Sequence, residues 1–159
     1  VFMEGRIVQV GTPREIFSTP QTIDVAGFIG TPAMNFVAGT WSGNAVTVAG
    51  HALRVAATAN QPREVVLGVR PNDMRLVNEG AQGAPAAGIA ARVERVEDLG
   101  DSCIVTFSSA GKVLKLKSDR QQSVQEGAGV HLGFEPGAEH LFDPQTGARL
   151  TATFETELK

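Results

Sequence analysis

The sequence predicts a mainly β protein, a small barrel or sandwich entered through a short hairpin and two short helices. Three observations carry that expectation. From residue 34 onward, short apolar or alternating runs recur between Gly, Asn, Asp and Pro punctuation. The run "KVLKLKS" alternates strictly, with Leu114 and Leu116 on one face and Lys115 and Lys117 on the other. Helix signals crowd instead into "GTPREIFSTPQTIDVAGFIGTPAMNF", residues 11–36.

The chain opens on Val1 to Met3, then Glu4-Gly5, then Arg6 to Val10, which reads as two strands about a tight turn, since Gly tolerates positive φ. A strand of three residues is marginal alone, so a longer natural polypeptide extending upstream is expected. Thr12-Pro13-Arg14-Glu15 is a capping box with proline at the first helical position. The Thr12 hydroxyl accepts from the Glu15 amide, and the Glu15 carboxylate accepts from the Thr12 amide. Thr19-Pro20 repeats the device and predicts a second helix through about Ile29. Gly30 and Pro32 end it. Two such helices have too little surface for a core of their own and must pack on something else.

Strands are predicted at 34–40, 45–49, 52–56, 64–70, 90–97, 102–108, 112–117, 130–134 and 148–154. "EGAQGAPAAG" at 79–88 reads as a mobile Gly/Ala/Pro loop. "LGVRP" at 67–71 and "LGFEP" at 132–136 form a faint internal echo, a strand that ends in a proline corner.

The bulk properties narrow the function classes. With 159 residues the chain suits one domain or two small ones and buries roughly 70% of its unfolded surface. A net charge of −3 supplies no field for a polyanion, and eight Phe at apolar positions with one Trp and no Tyr make no stacking platform, so nucleic acid is not expected as partner. No apolar run approaches the roughly 20 residues of a membrane-crossing helix. The single cysteine, Cys103, excludes an intrachain disulfide framework, fits a reducing compartment, and lies beside Ile104 and Val105 as a small buried apolar residue.

Residues that could carry catalysis do not form constellations. His51, His131 and His140 lie far apart, without metal-ligand spacing. His51 falls in a predicted turn, His131 on an outer strand face, and His140 where it caps or bridges strands. "SSAGKV" holds Gly-Lys but lacks the earlier glycine and the following Ser/Thr of a phosphate loop. Glu94, Glu97, Asp98 and Asp101 do not match the calcium-loop spacing and read as a solvated strand end and turn. No catalytic, metal or cofactor site is expected.

"GRIVQVGTPREIFSTPQTIDVAGFIGTPAMNF" (5–36) resembles the junction between the nucleotide-binding and C-terminal regulatory domains in ATP-binding subunits of carbohydrate ABC importers of the MalK/UgpC type. The matching residues are Gly5, Arg6, Ile7, Gln9, Gly11, Pro13, Glu15, Pro20, Val25, Ala26, Phe28, Ile29, Gly30, Pro32, Met34 and Asn35. "LGVRPNDMRL", "VERVEDLGDSCIVTF" and "EHLFDPQTGARL" carry the resemblance through the rest of the chain. Asn72 departs from the glutamate usual after Arg-Pro, and Asp24 from the usual basic or aromatic residue.

The resemblance implies an OB-type, MOP-like β-barrel acting as a regulatory (TOBE) domain at 34–159, with the end of the nucleotide-binding domain and a helical connector at 1–33. It implies a connector motif at Pro13, Glu15, Phe28, Gly30, Pro32 and Asn35, and a barrel motif or interface at Gly68, Arg70, Pro71, His140, Phe142, Asp143 and Gly147. ATP and Mg would belong to a domain upstream of Val1, so this chain is expected neither to bind nor to hydrolyse ATP. The implied partners are a second copy through the barrel and transmembrane permease subunits, at the cytoplasmic face of the membrane and without direct insertion. MOP-like barrels in related importers also bind oxyanions such as molybdate. That alternative would use Ser108, Ser109 and Lys112.

Overall fold

A computed structural model describes residues 1–77 and 88–151. Strands β1 (Phe2–Met3) and β2 (Arg6–Ile7) form the expected entry hairpin, turning through Glu4 (φ 48°) and Gly5 (φ 78°). Two consecutive positive φ values give the turn whose twist matches antiparallel strands. Helix α1 (Pro13–Ser18) carries the predicted capping box: the Glu15 amide donates to Thr12 Oγ1 at 3.2 Å, and the Thr12 amide donates to Glu15 Oε2 at 2.7 Å. Helix α2 spans Ile23–Phe28.

The start of α2 differs from the expectation. Its cap is Thr22, whose hydroxyl accepts from the Val25 amide, and not Thr19 before Pro20. Gln9 explains the shift. Its side chain donates to the Thr19 carbonyl and accepts from the Gln21 amide, which holds 19–21 outside either helix with Pro20 fully buried.

The barrel is built from two sheets. One has order β10-β4-β3, with β3 at Asn35–Val48, β4 at His51–Val69 and β10 at His140–Phe142. The other has order β5-β9-β6-β7-β8, with β5 at Arg75–Val77, β6 at Ile89–Asp98, β7 at Cys103–Ser109, β8 at Lys112–Ser118 and β9 at Gly129–Gly133. Four predicted strands thus fuse into two. Trp41 faces Arg63, yet Ala45 faces Arg54, so β4 carries extra residues across a double bulge and the pair bends without breaking. The strand predicted at 148–154 is absent from its described part. Ala148 and Arg149 make only single bridges, to Thr22 and Phe142, and residues 152–154 lie outside the described residues. The predicted loop at 79–88 is described only at Gly88. Strands β5 and β10 were not predicted; each is three residues long and exists through its partner.

Alternation sorts the side chains into two cores. Val37, Leu67 and Leu141 face inward and join Val105, Phe107, Leu114 and Leu132 in one core shared by both sheets. Each such fully buried side chain contributes about 1.5–3 kcal/mol of transfer free energy. Cys103 is buried among them, as expected. The residues one step along, Phe36, Val66 and Phe142, face outward and meet Ala26, Met34 and Ile23 in a second, small core. The α2 helix therefore packs on the outer face of the three-stranded sheet.

The echo at 67–71 and 132–136 corresponds to one shared corner. The Asp73 amide donates to the Arg70 carbonyl at 2.9 Å, and the Ala138 amide to the Glu135 carbonyl at 3.0 Å, with Pro71 and Pro136 second in each turn.

Candidate functional site

Several of the motif residues, Arg70 and Gly30 above all, meet at the joint between the two helices and the barrel. Arg70, the residue after β4, is 3% exposed. Its Nε and Nη2 donate to the Phe17 carbonyl at 3.2 and 2.6 Å, and its Nη1 donates to the Ile29 carbonyl at 2.8 Å. Those carbonyls belong to the C-terminal ends of α1 and α2, where helices leave acceptors unpaired. The guanidinium also lies 3.7 Å from the centroid of the Phe17 ring. Burial pulls its pKa down and Asp73 opposes this, but arginine stays charged throughout the accessible range.

Gly30 fits this arrangement in two ways. Its φ is +112°, and a Cβ there would stand 3.2 Å from Arg70 Nη1. Pro13 is the first residue of α1, and Glu15 completes its cap. Pro32 follows Gly30 on the way to β3, in cis linkage to Thr31. Phe28, the last residue of α2, is 64% exposed and makes no part of either core.

Asn35 ties the start of β3 to the edge of the other sheet. Its amide donates to the Lys115 carbonyl at 2.8 Å and its Oδ1 accepts from the Lys115 amide at 2.7 Å, so one side chain serves as the strand that β8 lacks on its outer edge. The carbonyl of Pro71, itself fully buried, accepts from the Lys117 amide on the same edge. Gly68 lies beneath the second core; a Cβ would meet Met34 Sδ at 2.6 Å and the Phe142 ring at 3.0 Å. Phe142 packs edge-on against Phe36, ring centroids 6.0 Å apart.

The turn after β10 anchors the other end of α2. Asp143 Oδ1 accepts from the Gln145 and Thr146 amides at 2.8 and 3.0 Å, and Oδ2 accepts from Arg63. The Thr146 and Gln145 amides are the main reason its carboxyl is held below the usual range. The Gly147 carbonyl then accepts from the Ile23 amide, and the Arg149 amide donates to the Gln21 carbonyl. His140 is buried, stacked on Phe142, and its Nδ1 lies 2.8 Å from Arg149 Nη1. Since arginine only donates, Nδ1 is the acceptor and the ring is neutral. Burial first, then the Arg149 and Arg70 charges, depress its pKa to about 4.

The oxyanion residues are differently engaged. The Ser109 hydroxyl donates to the Ala90 carbonyl and that of Ser108 to the Glu94 carboxylate, which would repel an anion. Lys112 is exposed at the start of β8, just past the turn. His51 begins β4 and is not in the turn; its ring packs edge-on against that of His131, centroids 6.0 Å apart. Among the described residues no group of three or more His, Cys, Asp or Glu converges on a metal-sized site, and no helix is long and apolar enough to cross a membrane. A broad open cleft of about 1140 Å³ lies between β5, β9 and the segment after β8, with Asn72, Lys117, Arg120 and His131 on its walls.

Arg70 was legible as part of a motif, but its partners were not. Gln9 stood among the matching motif residues without a role, and Phe17 carried no signal beyond its place in the connector.

Comparison with known proteins defines the class first. The TOBE domain profile matches residues 67–142, and the MalK OB-fold domain profile matches residues 30–74. The described barrel is thus an OB-type domain of the TOBE class. The cytoplasmic molybdate-binding protein ModG, solved with molybdate bound, shares the fold at a TM-score of 0.53 and 14% identity, over 67% of this chain and 94% of that one. Residues 30–142 thus carry the MalK OB-fold and TOBE domain signatures. Its relatives include the sn-glycerol-3-phosphate import ATP-binding protein UgpC of Ruegeria pomeroyi, 36% identical over 92% of this chain and 40% of that protein. The diacetylchitobiose uptake system ATP-binding protein MsiK of Streptomyces coelicolor is 36% identical over 95% of this chain and 45% of that protein. The chain therefore spans less than half the length of these relatives.

Proposed function

We propose that this chain is the non-catalytic regulatory and dimerisation domain of the ATP-binding subunit of an importer for sugars or related solutes. The observation that carries the reading is the joint: α2 is buried on the outer face of the barrel by Ala26, Met34 and Phe142, and tied at both ends by hydrogen bonds. A barrel that takes up or restrains motion in an attached motor needs a connector that does not flex. The names of the relatives, import ATP-binding proteins for glycerol phosphate and oligosaccharides, support the solute class.

In this reading residues 1–33 close the nucleotide-binding domain and connect it to the barrel. ATP and Mg belong to that domain, and the protein works on the cytoplasmic face of the membrane through permease subunits. Two barrels stay in contact and keep the two ATPase halves at high effective concentration between turnovers.

The test uses the purified chain. Sedimentation should show a concentration-dependent dimer, and ATP hydrolysis should stay at background. A strict monomer removes the dimerisation role, and hydrolysis above background removes the non-catalytic one. Titration with molybdate, tungstate and sugar phosphates should show no micromolar binding. Micromolar heat from molybdate would put the oxyanion-sensor reading in its place.

A further inference from the structure

The connector is held to the barrel unequally. Helix α2 has an apolar core beneath it, but α1 buries only Ile16, and six residues cannot sustain a helix alone. Among the described side chains, the strongest tie from the barrel to α1 is Arg70, which gives two of its three hydrogen bonds and its stacked face to Phe17, and the third bond to the end of α2. We propose that Arg70 is the positioning residue that makes α1, α2 and the barrel one rigid body, fixing the angle at which the connector leaves the domain.

The chemistry favours arginine specifically. The two carbonyls belong to different helix ends, and a planar fork with donors on both edges reaches them together, whereas an ammonium is a point donor. The groups it bonds are neutral carbonyls, so the clamp depends on fork geometry. No ion pair secures Arg70 among the described residues. Gly30 belongs to the same device, because any Cβ there would crowd Nη1. The consequence for coupling rests on the reading above; the clamp itself is a property of this chain.

Hydrogen exchange on the chain, read amide by amide, tests the proposal. In Arg70→Ala, the Ile16 and Thr19 amides of α1 should lose protection by about tenfold or more, as expected for loss of a charged hydrogen bond. The Ile29 amide should lose less, and barrel amides such as Val65 and Val105 should stay within about twofold. Millimolar guanidinium ion should restore α1 protection in Arg70→Ala, and equimolar ammonium should not. Arg70→Lys should behave like Arg70→Ala, and Gly30→Ala should loosen the end of α2 with Arg70 present. Unchanged protection in α1 overturns the proposal. So does loss of protection throughout the barrel in the Lys variant, which would make Arg70 an ordinary folding residue. Dimerisation and ATPase results are independent of this readout, so failure of the clamp and failure of the regulatory reading are separable.

Discussion

His140 is buried, neutral and accepts a hydrogen bond from a cation, so protonation is opposed by desolvation and by charge. Its folded pKa of about 4 lies below the unfolded value near 6.5, so the unfolded chain binds more protons between them. The stability this residue contributes is fully present above about pH 6.5 and is lost as pH falls toward 4. The slope approaches about 1.4 kcal/mol per pH unit within that window. Urea unfolding of the wild type at several pH values should show it. In His140→Gln, whose carbonyl can still accept from Arg149, the dependence between pH 4 and 6.5 should flatten. An unchanged profile would assign the acid sensitivity to other groups. At Gly68 the constraint is steric. An alanine methyl would overlap Met34 and the Phe142 ring, and Gly68→Ala should cost about 1–3 kcal/mol through overpacking of the small core.

At the scale of elements, a side chain joins β3 to β8 where a ladder is missing. Removing the Asn35 amide leaves both backbone groups of Lys115 without their partner at a half-buried edge. Each orphaned group costs about 1–3 kcal/mol, so Asn35→Ala should destabilise the chain by about 2–4 kcal/mol. Exchange at the Lys115 amide should rise first. If Asn35→Ala unfolds at the wild-type midpoint, the seam is held by packing and not by this bridge. The elements also show where local reading worked. The Thr12–Glu15 box is complete within four residues, and it formed as read. The cap of α2 moved to Thr22 because Gln9, thirteen residues upstream, claimed the backbone around Pro20. Gly43 and Asn44 looked like a strand break but are absorbed in a bulge, since pairing with β4 continues on both sides.

Across the whole molecule, the larger core is lined by both sheets, and neither sheet buries its inner face without the other. The barrel should therefore unfold in a single transition. Trp41, buried in that core, reports it directly: its fluorescence and the far-UV circular dichroism should give the same midpoint. Two separated midpoints would mean that the sheets unfold independently. The sequence by itself determined the β class, the entry hairpin, the first helix and the alternating strand faces, because hairpin turns, caps and period-two patterns are local. It also carried the resemblance to the TOBE class, through motifs spread along the chain. Only the tertiary structure decided which of those residues meet. Phe17, Ile29 and Arg70 are distant in sequence and meet solely because α2 lies on the sheet; β5 and β10 are strands solely because partners supply their hydrogen bonds. Such contacts are set by where the chain returns in space, and no short window of residues encodes that.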